Sequence, residues 1–248
     1  LQSRGLGDVY KRQAYTNVDG CETHGELAHR INGEAPGRLA GLCRQRGIRF
    51  VHVSTDYVFD GESDEPYGED SATAPLSAYG ASKLAGEEAV READPEALVV
   101  RTAWLYGRGR NFVAAVCGKA ARVAQGLEPD GLRVVDDQSG SPTWSRDLAE
   151  GLLGLVERGA GGLYHLANRG VATRWELARA ALDLAGHAEV PIERVRTSDY
   201  PTPARRPRQT ALRCQRAAQA GVELRPWRDA LAAYLESSES PLAPRAGP

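Results

Sequence analysis

The chain has 248 residues, 42% of them hydrophobic and 26% charged, and a formal net charge of −2. This length is enough for a full globular core, and the nearly balanced charge gives no bulk attraction to nucleic acid or to a membrane surface. The sequence contains no apolar stretch near the roughly 20 residues of a membrane helix, and no signal peptide is visible. We therefore expect a cytoplasmic protein whose partners include neither nucleic acid nor a membrane.

From residue 22 onward, hydrophobic periodicity predicts alternating helices and strands. Apolar residues three to four apart indicate helices, and compact β-branched or aromatic runs indicate buried strands. In chain order we predict helix 22–46, strand 48–54, a surface loop at 60–75, helix 77–93, strand 98–104, helix 111–125, strand 132–135, helix 145–157, strand 162–166, helix 173–185 and helix 227–236. Residues 237–248 are expected to form a disordered tail.

The two ends of this pattern differ from its middle. The chain starts at Leu1, has no methionine, and shows no amphipathic period over residues 1–13. We expect residues 1–13 to be an unrelated or artefactual segment and the chain to be a fragment of a longer gene product. From about residue 134 the order becomes less regular and richer in proline, which favours a second, smaller lobe.

The cysteines predict neither a disulfide framework nor a metal site. Cys21, Cys43, Cys117 and Cys214 are widely spaced and form no C-x-x-C pair. Scattered cysteines of this kind are typical of reduced thiols in a cytosolic protein.

Tyr79 and Lys83 are the first candidate catalytic residues. They are four positions apart on a predicted helix, so they lie on one face of it, one turn apart. A nearby ammonium favours the phenolate, so we expect Lys83 to lower the pKa of Tyr79 toward the range of an acid–base catalyst. Thr55 ends the preceding strand, where α/β sheets bind ligands, and its hydroxyl can donate to a carbonyl. Taken alone, a Tyr-x-x-x-Lys pair is more often a solvated surface pair.

Three weaker patterns remain. Arg205, Arg206 and Arg208 lie in a proline-framed loop and could neutralise a diphosphate, although a solvated basic loop explains them equally well. The run from His52 to Asp56 has the residue types of a hydrolase triad, but alternate residues of one strand do not converge, and no nucleophile elbow is present. Asp136 and Asp137 could be read as a metal pair, yet no further ligands accompany them.

Several blocks together carry a family resemblance. They are residues 14–19, 54–59, 79–87, 101–107, 111–112, 137–143, 162–166 and 200–207. The Thr-Asp-Tyr-Val-Phe run that begins at Thr55 and the block Tyr200 to Pro207 are the most specific. In this order, the chain resembles the extended short-chain dehydrogenase/reductases, and within them the dTDP-4-dehydrorhamnose reductase family, from about residue 14 to residue 236. In this family pattern, Asp137 belongs to a structural loop.

The resemblance implies an α/β fold, namely a Rossmann-like parallel sheet, incomplete at the N-terminus, with a smaller C-terminal substrate lobe. Residues 14–133 would be the remainder of the dinucleotide-binding domain. Residues 134–236 would be mainly the substrate-binding lobe, with some segments returning to the core. The implied reaction is NADPH- or NADH-dependent reduction of the C4 ketone of dTDP-4-dehydro-L-rhamnose to dTDP-L-rhamnose.

The resemblance also implies roles for single residues. Tyr79 would protonate the nascent C4 alkoxide, Lys83 would hold the nicotinamide ribose, and Thr55 would bridge tyrosine and substrate. Substrate contacts are implied for Thr55, Asp56 and Trp104, to which the loop analysis adds Arg205 and Arg206. Cofactor contacts are implied for Ala14, Tyr15, Thr16, Tyr79 and Lys83. A homodimer is compatible with this family, and nothing in this sequence supports a Mg²⁺ ion at its interface.

The chain departs from the family at the cofactor loop. Members carry a G-x-x-G-x-x-G turn that receives the pyrophosphate, and the sequence contains no such turn. Gly5 and Gly7 form a lone G-x-G without a preceding strand. We therefore expect this chain to bind the cofactor poorly or not at all, and it does not reveal a preference between NADPH and NADH.

Two other functions stay open. A nucleotide-sugar epimerase or 4,6-dehydratase shares the fold and the Tyr/Lys pair, although dehydratases usually carry Asp-Glu after the threonine, where this chain has Asp56 and Tyr57. A non-catalytic, reductase-like regulatory subunit is the other alternative, and the retention of Tyr79 and Lys83 argues against it.

Overall fold

The structure is a computed structural model that describes residues 8–11, 14–128 and 131–240. These residues form two compact units. Unit 1 comprises the described residues up to Thr102 together with Leu152–Leu166 and Thr202–Val222. Unit 2 comprises Ala103–Gly151, Ala167–Pro201 and the described residues from Glu223 onward.

The elements alternate along the chain. The strands are β1 Asp8–Lys11, β2 Arg49–Thr55, β3 Leu98–Thr102, β4 Leu105–Tyr106, β5 Leu132–Val135, β6 Ser139–Gly140, β7 Thr143–Trp144, β8 Gly162–His165, β9 Ala172–Thr173 and β10 Ile192–Val195. The α-helices are α1 Val18–Thr23, α2 Gly25–Ala28, α3 Ala35–Gln45, α4 Ala78–Ala93, α5 Phe112–Ala124, α6 Ser145–Glu157, α7 Arg174–Leu184, α8 Gln215–Gln219 and α9 Trp227–Glu236. Of the described helices, none combines the length and apolarity of a membrane span.

Unit 1 is built on a parallel sheet whose strand order, in the described part of the chain, is β1-β2-β3-β8. The register pairs Thr55 with Thr102, so the carboxyl ends of β2 and β3 lie side by side. β3 is buried at every position, as a central parallel strand should be. The core beside the sheet includes Phe50, Val90 and Val99. The α/β class with a parallel sheet is confirmed.

The helical stretch before β2 departs from α-helical geometry next to Pro36. A π-helical segment, His29–Glu34, lies between α2 and α3. Pro36 has no N–H to donate to the carbonyl of residue 32, so an α-helical bond is lost there. That carbonyl is in turn approached by α4, because a Cβ placed on Gly86 would lie 2.1 Å from Asn32 O. The single helix predicted over 22–46 is therefore several helical pieces.

Unit 2 has its own core and several short strand pairs. β5 pairs with β10 and β4 with β7, both in parallel, and β6 pairs with β9 in the antiparallel sense. Helices α5, α7 and α9 pack together around apolar side chains. The fully buried ones include Val113, Leu231 and Tyr234.

Four sequence predictions need adjustment. The strand predicted at 98–104 ends at Thr102, because Trp104 adopts a positive φ of 46° and the chain turns into β4. β1 lies within the segment predicted to be unrelated and pairs with β2. The predicted tail is ordered at its start, since the indole N–H of Trp144 donates to Glu239 at 3.1 Å, while residues 241–248 lie outside the described residues. Residues 103–128 and 131–133, predicted in the first domain, lie in unit 2, where α5 packs on α7, and the functional division into domains stays a prediction.

Candidate active site

Thr55 and Tyr79 meet at the carboxyl end of β2. Thr55 is the last residue of that strand, and Tyr79 is in the first turn of α4, which begins after the N-cap Ser77. The Thr55 side chain is near enough to the Tyr79 hydroxyl to act on the pKa of that phenol. A strand end and a helix start therefore bring together the two hydroxyls that sequence analysis assigned to proton transfer.

The pKa of Tyr79 is raised, against the predicted direction. Burial is the main cause, and the negative charge of Asp56 adds to it. The influence of the Thr55 side chain acts in the opposite direction but is weaker. Tyr79 is therefore held as the neutral phenol, which is the form that can donate a proton.

Lys83 is buried one turn further along α4. Its side chain is only 3% exposed, and its ammonium donates to Val53 O at 2.7 Å. This bond ties α4 to the strand that carries Thr55. The ammonium lies within unit 1 on the same helix face as Tyr79, as the spacing of four predicted.

The segment from Ala14 to Thr16 is fixed by a single buried amide. Asn32 is 1% exposed; its Oδ1 accepts from Tyr15 N at 2.8 Å, and its Nδ2 donates to Tyr15 O at 3.1 Å. The same Nδ2 donates to Ser82 Oγ at 3.0 Å, next to Lys83. The predicted cofactor segment is thereby joined to α4, and its contact with a cofactor stays a prediction.

Asp56 is buried directly after Thr55, and both of its carboxylate oxygens accept hydroxyl protons. Thr55 Oγ1 donates to Oδ1 at 3.0 Å, and Thr210 Oγ1 donates to Oδ2 at 2.5 Å. Asp56 is only 3% exposed. Its predicted substrate contact stays a prediction, and Thr55 and Thr210 are among its protein partners.

A buried ion pair lies one layer beneath the site. Arg101 of β3 forms a bidentate pair with Glu87 of α4, with Nη2 2.6 Å from Oε2. Ser54, the residue before Thr55, donates to the same carboxylate. Both charged side chains are at most 4% exposed, so the pair links α4, β2 and β3 away from water.

Gly80 allows α4 to approach the chain after β2. A Cβ at this position would lie 2.2 Å from Tyr57 O, too close to be tolerated. We expect Gly80→Ala to move Tyr79 away from Thr55 and to lower stability by about 1–3 kcal/mol. The matched control is Gly118→Ala in α5, where no atom lies within 4 Å of the added Cβ and alanine should stabilise the helix slightly. Urea denaturation of both variants measures this; equal effects would contradict it.

The Arg206 side chain contacts other residues of unit 1. Its guanidinium forms two bonds with Asp19, at 2.6 and 2.9 Å, and is hydrogen-bonded to the side chain of Tyr57. Diphosphate binding by Arg206 would therefore require this ion pair to break. Arg205 is exposed, and Arg208 pairs with Asp64 at 3.1 Å. The role predicted for Arg205 stays a prediction.

The Asp19–Arg206 pair predicts a pH-dependent loss of stability. The hydrogen bond from Arg206 lowers the pKa of Asp19 below its ordinary 3.8. Because the pKa of Asp19 is lower in the folded than in the unfolded protein, ionised Asp19 stabilises the fold at pH values above the unfolded-state pKa. This contribution is lost as the pH falls through the folded-state pKa. Arg206→Gln should therefore lower the urea midpoint more at pH 7 than at pH 3, whereas Arg205→Gln should change neither. An equal effect of Arg206→Gln at both pH values would argue against the pair.

Trp104 belongs to unit 2 and is held tightly there. It is the non-glycine residue with a positive φ among the described residues, and its carbonyl accepts from Thr143 N at 3.3 Å. Arg174 Cζ lies 3.6 Å from the centroid of its ring. A Cβ on Gly140 would come within 2.4 Å of Trp104 Cε2. The Trp104 ring, predicted to contact the substrate, is thus already covered in part by Arg174, and its substrate role stays a prediction.

Asp136 and Asp137 make protein contacts. Thr173 donates to Asp136 at 2.6 Å, and Thr197 donates to Asp137 at 2.6 Å through its side chain. Within the described residues no group of three or more His, Cys, Asp or Glu side chains has an arrangement that could hold a metal ion.

Sequence analysis missed Asn32, Ser82, Thr102 and Thr210. Thr102, at the end of β3, has a buried hydroxyl without a hydrogen-bond partner in the described part of the chain. Its register position beside Thr55 was the one signal that could have identified it. Asn32 and Thr210 become recognisable only once the chain is folded.

Comparisons with known proteins point to one family. A family model described as RmlD substrate binding domain matches residues 6–240. The dTDP-4-dehydrorhamnose reductase of Mycobacterium tuberculosis is 45% identical over 230 residues, which cover 90% of this chain and 74% of that protein. The crystal structure of a dTDP-4-dehydrorhamnose reductase from Clostridium acetobutylicum has a TM-score of 0.86 at 35% identity, covering 93% of this chain and 80% of that one.

A second solved structure adds a cofactor. The dTDP-4-dehydrorhamnose reductase of Bacillus anthracis, in complex with NADP, has a TM-score of 0.85 at 33% identity and covers 92% of this chain and 80% of that one. The predicted resemblance is confirmed. Since the family model spans nearly the whole chain and the relatives share 33–45% of their residues with it, the chain belongs to the RmlD substrate binding domain family, the family of the dTDP-4-dehydrorhamnose reductases.

Proposed function

We propose that this protein reduces the C4 ketone of dTDP-4-dehydro-L-rhamnose to dTDP-L-rhamnose, with Tyr79 as the proton donor. The observation that carries the proposal is the position of Thr55 at the carboxyl end of β2 beside Tyr79 in the first turn of α4, where the Thr55 side chain acts on the Tyr79 phenol. A phenol kept neutral by burial retains its proton at neutral pH, and a neighbouring hydroxyl can orient a carbonyl oxygen toward it. The names of the relatives support the choice of substrate.

Individual residues of this chain have different roles in the proposed reaction. Tyr79 donates its proton to the substrate oxygen as negative charge develops there. Thr55 supplies a second hydroxyl for the same oxygen and remains within reach of the phenolate that is left. The buried ammonium of Lys83 places a positive charge in this region and favours that phenolate. We also assign substrate contacts to Asp56 and Trp104.

The cofactor we propose is NADPH or NADH, which supplies a hydride to the carbonyl carbon when bound. Two observations fit such a group. The segment Ala14 to Thr16 is held at α4 by Asn32, and the buried hydroxyl of Thr102 has no hydrogen-bond partner among the described residues. Tyr79, Lys83 and the segment Ala14 to Thr16 would hold it. The sequence offers no G-x-x-G-x-x-G turn for the pyrophosphate. Nicotinamide fluorescence measures the affinity of this protein for NADPH and for NADH.

The test is a product assay. The protein is incubated with millimolar NADPH and dTDP-4-dehydro-L-rhamnose, NADPH consumption is followed, and the sugar nucleotide is identified by NMR. We expect dTDP-L-rhamnose in a one-to-one ratio with NADPH consumed. Dehydration without net NADPH use would favour the dehydratase alternative. No product, although nicotinamide fluorescence shows NADPH bound, would favour a non-catalytic subunit.

Two further properties complete the proposal. We propose a homodimer, which multi-angle light scattering would measure as twice the chain mass of 26.7 kDa. We also propose a cytoplasmic location, because the four cysteines are free thiols within the described residues. Cell fractionation of the source organism, with an antibody to this protein, tests the location.

A further inference from the structure

Thr210 carries a buried hydroxyl that donates to Asp56 of the candidate active site. It is 2% exposed, and its Oγ1 donates to Asp56 Oδ2 at 2.5 Å. The other oxygen, Oδ1, accepts from Thr55 at 3.0 Å. Thr210 and Thr55 are thus joined by one carboxylate, although 154 positions separate Thr210 from Asp56 in the chain.

The segment around Thr210 is fixed on both sides. On one side, Leu212 forms a β-bridge with Tyr67, whose N–H donates to Ala211 O at 2.9 Å. On the other side, Gly61 packs so closely on Pro207 that a Cβ would lie 2.6 Å away. The Thr210 hydroxyl therefore has a defined position relative to β2, as a positioning residue requires.

The Thr55 hydroxyl has one proton and two acceptor positions. In the structure its oxygen accepts from Tyr57 N at 3.2 Å, and its proton points to Asp56. While Tyr79 is neutral, its O–H can use the remaining lone pair of Thr55. Once Tyr79 has given its proton to the substrate, the phenolate needs a donor, and the Thr55 O–H has to turn away from Asp56.

We propose that Thr210 is a positioning residue that keeps the Asp56 carboxylate hydrogen-bonded while the Thr55 hydroxyl turns to Tyr79. This inference rests on the proposed function. The O–H bond of Tyr79 breaks, its proton goes to the substrate oxygen, and the Thr55 O–H bond rotates without breaking. Without the Thr210 hydroxyl, Asp56 would hold Thr55 more strongly, and the phenolate would be less well stabilised.

Kinetics test this role. Thr210→Val should lower kcat about tenfold with KM within about twofold, because one hydrogen bond to a charged group is lost in the step that forms the phenolate. Thr210→Ser should restore kcat. The alkaline limb of the pH profile should move to higher pH, since a less stabilised phenolate means a higher pKa for Tyr79. The charged and titratable groups that act on the Tyr79 pKa are Asp56 and Tyr57 after β2 and Cys21 of α1. Lys83 lies one turn further along α4.

A matched control separates positioning from general packing. Thr197→Val removes a hydroxyl that donates to Asp137 at 2.6 Å in unit 2, and should leave kcat and the pH profile unchanged. If Thr210→Val changes only KM, or if Thr210→Ser does not restore kcat, the proposal is wrong. Thr210→Ala replaces the valine variant should the latter not fold.

An independent readout uses the cofactor-free protein. With tyrosine labelled with ¹³C at Cζ, and the Tyr79 signal assigned through Tyr79→Phe, Thr210→Val should shift the Tyr79 resonance. Thr210→Ser and Thr197→Val should leave it in place. An unchanged Tyr79 resonance in Thr210→Val overturns the proposal whether or not the protein has reductase activity. A shifted resonance with no turnover by the unsubstituted protein would instead contradict the proposed function.

Discussion

Tyr79→Phe is expected to lower kcat by about 10²–10⁴-fold while leaving the fold intact. The phenol is the proton donor of the site, and phenylalanine keeps the ring but has no proton to give. The edge-on contact with the ring of Tyr57, at 5.7 Å between centroids, should be preserved. Steady-state kinetics with NADPH and dTDP-4-dehydro-L-rhamnose measure the effect.

Tyr67→Phe is the matched control for this prediction. Tyr67 is also a buried tyrosine of unit 1, stacked on Phe59 at 4.1 Å, and its hydroxyl donates to Asp60 at 2.6 Å. The same substitution there removes a hydrogen bond outside the site, so kcat should change by less than about threefold. A variant Tyr79→Phe with full activity would refute the catalytic assignment.

Glu87→Gln is expected to lower the free energy of unfolding by about 3–5 kcal/mol, the second large effect. The substitution keeps the size of the side chain but removes the counter-charge of the Arg101 guanidinium. The Arg101 side chain is only 4% exposed. Ser54 loses a charged acceptor at the same time. Urea denaturation followed by circular dichroism measures the loss.

Two comparisons isolate the buried pair. Glu150→Gln breaks an exposed pair, Arg146–Glu150, whose side chains are both 59% exposed, and should cost less than about 1 kcal/mol. Replacing both partners, in a double variant Glu87→Leu and Arg101→Met, should recover most of the stability because no unpaired charge remains. If Glu87→Gln lowers the free energy of unfolding no more than Glu150→Gln does, the buried pair does not stabilise the fold as proposed.

Local rules explain what could be predicted from the sequence. The apolar run that ends at Thr55 and the spacing of four between Tyr79 and Lys83 depend only on neighbouring residues, and both elements form as expected. The helices 145–157 and 227–236 were predicted to the residue for the same reason. β10 was not predicted, because two of its four residues are exposed and the strand gives no buried alternation.

The remaining features depend on the folded chain. Asn32 and Ser82 are 50 positions apart, and no pattern in either segment indicates that they meet. The end of β3 depends on the positive φ of one residue, Trp104, which the sequence pattern of the predicted strand 98–104 does not reveal. The direction of the Tyr79 pKa shift was predicted wrongly because burial and Asp56, which the spacing of Tyr79 and Lys83 does not include, outweigh the other influences.

The central claim is that Tyr79 and Thr55 act together on the C4 oxygen of the sugar. The most direct measurement is a crystal structure of this protein with NADP and the product dTDP-L-rhamnose. We expect the C4 hydroxyl oxygen within about 3 Å of both Tyr79 Oη and Thr55 Oγ1. A bound sugar whose C4 oxygen lies beyond hydrogen-bond reach of Tyr79 would contradict the account.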